Sequence, residues 1–177
     1  SNKKKPGQFD KKLSKKRWDY KDRESTDWSN KTFDPSIPII NTLKGTTISF
    51  DVIENDDIND PQVLQKLKLC PEKVLIYSGF GGVILKKQTL NIGKRFLHVH
   101  GGYLPNYKGS TTNYFSLLAE NEVGASSIFM SEEIDSGEIL IRKKFRPPVH
   151  REQIDHIYDS EMRAQVLLET LQKYSRC

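Results

Sequence analysis

Arg95-Phe96-Leu97-His98-Val99-His100-Gly101-Gly102-Tyr103-Leu104-Pro105-Asn106-Tyr107-Lys108-Gly109 is the stretch from which the rest of the chain can be read. Residues 95–100 are a short apolar and aromatic run that ends on glycines, which predicts a strand. Residues 101–109 are rich in Gly and Pro and predict a loop. On a strand, residues i and i+2 point the same way, so His98 and His100 project together at the strand end. Two imidazoles on one face suit half of a metal site, or a pair of satisfied structural histidines. Only His150 and His156 remain to complete a metal set, both in the C-terminal region, and no metal site is expected.

Upstream, Lys73-Val74-Leu75-Ile76-Tyr77 reads as a strand buried on both faces, as in a parallel sheet. It runs into Ser78-Gly79-Phe80-Gly81-Gly82 and then Val83-Ile84-Leu85. Glycines after a buried strand let backbone approach a ligand where open α/β sheets bind one, although a plain turn fits the same residues. Before it, Asp60-Pro61 predicts a helix start, with Val63, Leu64, Leu67 and Leu69 along one side and Pro71 as the stop. The β-branched run over 46–53 predicts another strand. Downstream, a helix is expected over 112–118, strands over 125–130 and 138–145, and an amphipathic helix or helix pair over 151–174. Strands alternating with helices predict an α/β fold, a mainly parallel sheet flanked by helices.

The 177 residues hold 28 Lys and Arg against 23 Asp and Glu, and the imbalance is local. Residues 1–26 carry ten basic and four acidic side chains, leaving 18 basic and 19 acidic over the rest. A basic segment of this kind can touch nucleic acid or an anionic surface, but a solvated tail is the plainer reading. Trp18, Tyr20, Trp28 and Phe33 suggest that part of it packs on the body. The expected organisation is therefore a basic segment (1–36), a body (37–150) and a C-terminal helical segment (151–177). No window holds the roughly 18 apolar residues of a membrane span, and no apolar stretch follows the first lysines as a secretory signal would require. Two cysteines, Cys70 and Cys177, make no disulfide framework or zinc spacing, so a reduced, cytoplasmic protein is expected. Phosphate-loop, zinc-protease and serine-hydrolase motifs are missing from the sequence.

Three blocks in order change the reading: His98 to Gly109, then Gly124-Ala125-Ser126, then Ile134-Asp135-Ser136-Gly137-Glu138-Ile139-Leu140. Together they resemble the folate-dependent formyltransferases, a family that includes methionyl-tRNA and glycinamide ribonucleotide formyltransferases, formyltetrahydrofolate deformylase and sugar N-formyltransferases. The family pattern runs Asn-x-His-Pro-Ser-x-Leu-Pro-x-Tyr-Arg/Lys-Gly, then Asp-x-Gly-x-Ile-Leu about 25 residues on. The likeness spans residues 46–146 and implies a Rossmann-like formyltransferase domain. The strand, helix and second strand that usually open it are not found, so its N-terminal half is expected to be missing or abbreviated.

The resemblance implies 10-formyltetrahydrofolate as formyl donor and a catalytic Asn, His and Asp. His100 and Asp135 match the last two. His98 stands where the asparagine belongs, and Gly101 and Gly102 replace the Pro and Ser. A hydrogen-bond donor aimed at the developing oxyanion is what the asparagine supplies, and a ring N–H of His98 is expected to do the same. His100 would be a second donor or a proton shuttle, with Asp135 orienting it or stabilising its charge. The folate is expected against Gly79, Phe80, Gly81, Gly82 and Val83 on one side and Met130 and Ile134 on the other. A small amine, such as an amino sugar, is the expected acceptor, because no barrel of the tRNA-binding kind is found after residue 150. Water as acceptor (a deformylase) and a catalytically silent interaction module are the alternatives.

Overall fold

The protein is described here by a computed structural model, whose described residues are 37–79, 82–149, 151 and 154–174. Four strands make one sheet in the order β1 (Val74–Tyr77), β2 (Arg95–His100), β3 (Val123–Phe129), β4 (Ile139–Phe145). Helices α1 (Ile39–Lys44), α2 (Pro61–Leu69), α3 (Lys87–Leu90), α4 (Thr112–Glu120) and α5 (Asp159–Tyr174) accompany it, α5 being entered through a π-helical turn at Ile154–Tyr158. The expectation of an α/β sheet flanked by helices holds.

Strand direction differs from expectation. β1 and β2 are parallel, whereas β2–β3 and β3–β4 are antiparallel. The reason is the length of the excursion after His100: α4 has nine residues and its loop returns to the end of the sheet it left, so Ser126 pairs with His100 and β3 runs back. A helix of that length rises only about 13 Å.

Two further corrections concern the strands expected over 73–77 and 46–53. β1 is not buried on both faces: Val74 and Ile76, which share one face of the strand, are 42% and 49% exposed, while Leu75 and Tyr77 on the other face are half-buried. Residues 46–53 form no strand; Ile48 and Val52 are exposed, and Thr46 turns its hydroxyl back to the Leu43 carbonyl after α1. β-branched residues favour a pleated surface only when there is one to join. Neither α1 nor α3 was expected from sequence.

The C-terminal element follows its sequence pattern. Ile154, Tyr158, Met162, Val166 and Thr170 recur every four residues, and all are buried. Thr170 hydrogen-bonds the Ser127 hydroxyl at 2.7 Å, tying α5 to β3. Each fully buried aliphatic side chain in this seam contributes on the order of 2 kcal/mol.

Between α2 and α3 the fold depends on one buried amide. Asn59 accepts from the Lys86 N–H and the Thr89 hydroxyl, both at 2.7 Å, and donates to the Ile84 carbonyl at 3.1 Å. It thereby sets the path of residues 84–89, which leave the glycine-bearing segment. Replacing Asn59 with Ala leaves Thr89 and the Lys86 N–H buried without their acceptor, and two such groups cost about 2–4 kcal/mol together. Urea unfolding of N59A is expected to show that loss of stability with an unchanged slope.

Candidate active site at the carboxyl end of the second strand

His100 is the last residue of β2 and is buried, 6% exposed. Its Nε2 lies 2.8 Å from the Tyr107 carbonyl oxygen. A carbonyl only accepts, so Nε2 carries a proton. The proton that His100 gains or loses therefore sits on Nδ1, and Nδ1 faces Asp135 Oδ2 at 3.5 Å. Asp135 is half-buried, its side chain 12% exposed, and accepts from the Gly109 N–H at 2.8 Å. Its backbone lies in the left-handed region at φ 51°, a conformation that aspartate tolerates better than most residues. Lys108 reaches Ser136 Oγ at 2.7 Å, so the loops after β2 and β3 are clasped twice side by side.

The loop that supplies Tyr107 is held from below. Ser126 on β3 donates to the Gly102 carbonyl at 2.7 Å and accepts from the Leu104 N–H at 3.0 Å. Arg142 on β4 donates to the Leu104 carbonyl at 2.9 Å, and Leu104 is fully buried. Both glycines of the loop are required by their neighbours. A Cβ at Gly101 would run into Asp159 Oδ1, and one at Gly102 would lie 2.6 Å from His100 Nε2 and 2.7 Å from the Tyr107 oxygen.

His98 places Nδ1 3.0 Å from the Tyr77 carbonyl. By the same reasoning the neutral ring keeps its proton on Nδ1, and Nε2 is a lone pair. The expected neutral N–H pointing into the site is thus committed to β1. Burial pushes the His98 pKa down, His100 and Arg163 push the same way, and the Tyr77 carbonyl and Asp135 oppose them. The ring borders a cavity of about 200 Å³ together with Ser78, Ser160, Arg163 and Leu167. Arg163 pairs with Asp159 at 2.7 Å, and Asp159 also accepts from Asn113 at 3.1 Å. Burial raises the Asp159 pKa, against the pull of Arg163.

His98, His100 and Asp135 are accordingly brought together, although 35 residues separate His100 from Asp135. Of the expected folate contacts, Gly79, Gly82, Val83, Met130 and Ile134 are described, while Phe80 and Gly81 lie outside the described residues, as do residues 1–36 and His150. Lys87 on α3, four residues beyond the 79–83 segment, pairs with Glu132 of the 130–134 segment at 3.4 Å. Met130, Leu90, Phe96 and Phe129 line a second cavity of about 240 Å³ beside Arg95 and Glu138. Val83, Ile84 and Ile134 leave apolar surface exposed on the two segments. Gly137 passes so close to the Phe129 carbonyl that no side chain could stand there. Apolar surface beside backbone that no side chain shields fits a flat heterocycle with polar edges.

Sequence reasoning missed Tyr77 and Tyr107, which act through backbone carbonyls and leave no side-chain signal. It also missed Asp159 and Arg163, whose i, i+4 spacing on α5 is a readable pair. Among the described residues no three His, Cys, Asp or Glu side chains are grouped to hold a metal ion, and no helix is long and apolar enough to cross a membrane.

Residues 21–166 match the formyl transferase family, and the chain belongs to it. It is 32% identical over 101 residues to methionyl-tRNA formyltransferase of Finegoldia magna, covering 56% of this chain and 32% of that protein. It is 26% identical over 149 residues to the methionyl-tRNA formyltransferase of Citrifermentans bemidjiense, covering 82% of this chain and 45% of that one. The chain thus spans less than half the length of these relatives. In fold it is similar to phosphoribosylglycinamide formyltransferase from Campylobacter jejuni, with a TM-score of 0.57 and 21% identity over 76% of this chain and 72% of the other. It is similar also to HypX from Aquifex aeolicus, solved with tetrahydrofolic acid, with a TM-score of 0.52 and 20% identity over 64% of this chain and 20% of HypX.

Two outcomes test this geometry. The pKa of His98 is lowered on folding, so between its folded value and its ordinary value of 6.5 the unfolded chain binds more protons. The stability it contributes is present above pH 6.5 and lost as pH falls, by up to about 1.4 kcal/mol per pH unit. Unfolding free energies of H98N measured from pH 7.5 to 5 should fall less steeply than those of the wild type. In G102A the new methyl separates His100 from the Tyr107 carbonyl, so the protected His100 Nε2–H resonance expected by NMR for the wild type should broaden or vanish.

Proposed function

We propose that this chain transfers a formyl group from 10-formyltetrahydrofolate to a primary amine, an amino sugar being the acceptor class to try first. The observation that carries the reading is the meeting of His100 with Asp135 at 3.5 Å within the family's motif. The folate supplies a formyl carbon that an amine can attack. As the amine attacks, negative charge gathers on the formyl oxygen, and a donor aimed at it lowers the barrier by several kcal/mol. His100 stands there with Nε2–H engaged by the Tyr107 carbonyl and Nδ1 facing Asp135, and it meets that need when a proton on Nδ1 is shared between the Asp135 carboxylate and the formyl oxygen. The Asp135 carboxylate balances the imidazolium charge, and the Gly109 N–H holds that carboxylate in position. The segments at 79–83 and 130–134 would receive the pterin, their apolar side chains keeping water from the reacting carbon.

The test joins calorimetry with 5-formyltetrahydrofolate to a formyl-transfer assay over a panel of amines. Micromolar binding and N-formylation of an amine are expected. H100N should lower kcat about 10²–10³-fold with folate affinity within about twofold of the wild type, as loss of one oxyanion donor does. Absence of folate binding sinks the proposal, and formate release without any formylated amine would make the protein a hydrolase.

A further inference from the structure

We infer that His98 is the proton acceptor of this reaction, its Nε2 taking the proton that the amine loses, and not a replacement hydrogen-bond donor for the family's asparagine. The inference rests on the formyl-transfer reading and goes beyond it in assigning a base that an asparagine at this position cannot be.

Three observations carry it. First, the Tyr77 carbonyl at 3.0 Å determines the tautomer: Nδ1 holds the proton, and Nε2 is a lone pair at neutral pH. Second, Nε2 has no hydrogen-bond partner among the described residues and is not one of the buried polar atoms that lack one, so it is open, on a ring that borders the 200 Å³ cavity. Third, burial of the ring holds its pKa below the usual imidazole value, with His100 and Arg163 pushing the same way and the Tyr77 carbonyl and Asp135 opposing. The charged and titratable groups that face the ring come from every element packed against it. These are Tyr77 from β1, His100 from β2, Asp135 from the loop after β3, and Arg163 with its partner Asp159 from α5. Two imidazoles so close do not both ionise readily, which divides the work. His100 turns Nδ1 to a carboxylate, whereas His98 is held neutral by its burial, with Arg163 adding to that, and leaves Nε2 bare.

The proton ledger closes. The amine lone pair forms the new C–N bond to the formyl carbon, and the C–N10 bond breaks with its electrons going to N10. The proton from the amine nitrogen passes to His98 Nε2 and then through water to N10. No other reactant is needed.

The experiment reads the ring and the rate separately. Long-range 1H–15N correlation spectra of the 15N-labelled protein report the tautomer: the inference expects Nδ1 protonated, Nε2 bare at pH 7.5, and a midpoint below 6.5. In H98N and H98A, kcat at pH 7.5 should fall about 10²–10³-fold, the range for a positioned general base. KM for the folate should stay within about twofold, and the acid limb matching the NMR midpoint should vanish from the kcat profile. Added imidazole should restore part of the H98A rate. An Nε2–H tautomer, or an H98N enzyme as fast as the wild type, overturns the base while leaving formyl transfer standing. Wild-type protein that binds no 5-formyltetrahydrofolate by calorimetry overturns the formyl-transfer reading, and the base with it.

Discussion

A carbonyl oxygen accepts hydrogen bonds and never donates them, and at the end of β2 that restriction decides where the protons of two histidines reside. Tyr107 claims Nε2 of His100, and Tyr77 claims Nδ1 of His98. The two rings leave β2 on the same side yet present opposite faces of imidazole chemistry. One turns Nδ1 to a carboxylate, and the other leaves an Nε2 lone pair on a ring that borders a cavity. The charges, the clasped loops and the proposed division of labour all depend on this pair of backbone contacts.

Those carbonyls are held by packing elsewhere. Tyr77 ends β1 in parallel register with His98, so its carbonyl is presented by sheet geometry itself. Tyr107 lies in a loop and needs more support. Ser126 and Arg142 pin the loop to β3 and β4, Leu104 anchors it in the core, and Lys108 and Gly109 fasten it to the Ser136 and Asp135 turn. A site that must hold groups to a fraction of an ångström gains from being built on strands and stapled loops.

The departures from the family pattern explain one another. Asp159, with Asn113 beside it, occupies the space where a side chain at position 101 would stand, and His100 with the Tyr107 carbonyl occupies that at position 102. Glycine at both positions is thus the local consequence of a half-buried acid on α5 and a tightly held ring on β2. Arg163, placed by that same acid, borders the cavity beside His98 and helps keep it neutral.

Much of this was legible in one dimension. The apolar run and its glycines announced β2 and its loop, the four-residue stripe announced α5, and the spaced motifs announced His100 and Asp135 as partners. Local sequence determined the strand, its loop and the helix because strand alternation, helix periodicity and glycine requirements are short-range effects, whereas the pairing of His100 with Asp135 came from resemblance to the family's motifs. Direction and pairing were not local. Whether β3 runs with or against β2 depends on where the chain re-enters the sheet, and 46–53 had strand composition without a strand beside it. The chemistry of His98 was the least legible of all. Its residue type permits donor or acceptor alike, and the choice belongs to a backbone carbonyl 21 residues away, brought within 3.0 Å only by the parallel pairing of β1 with β2.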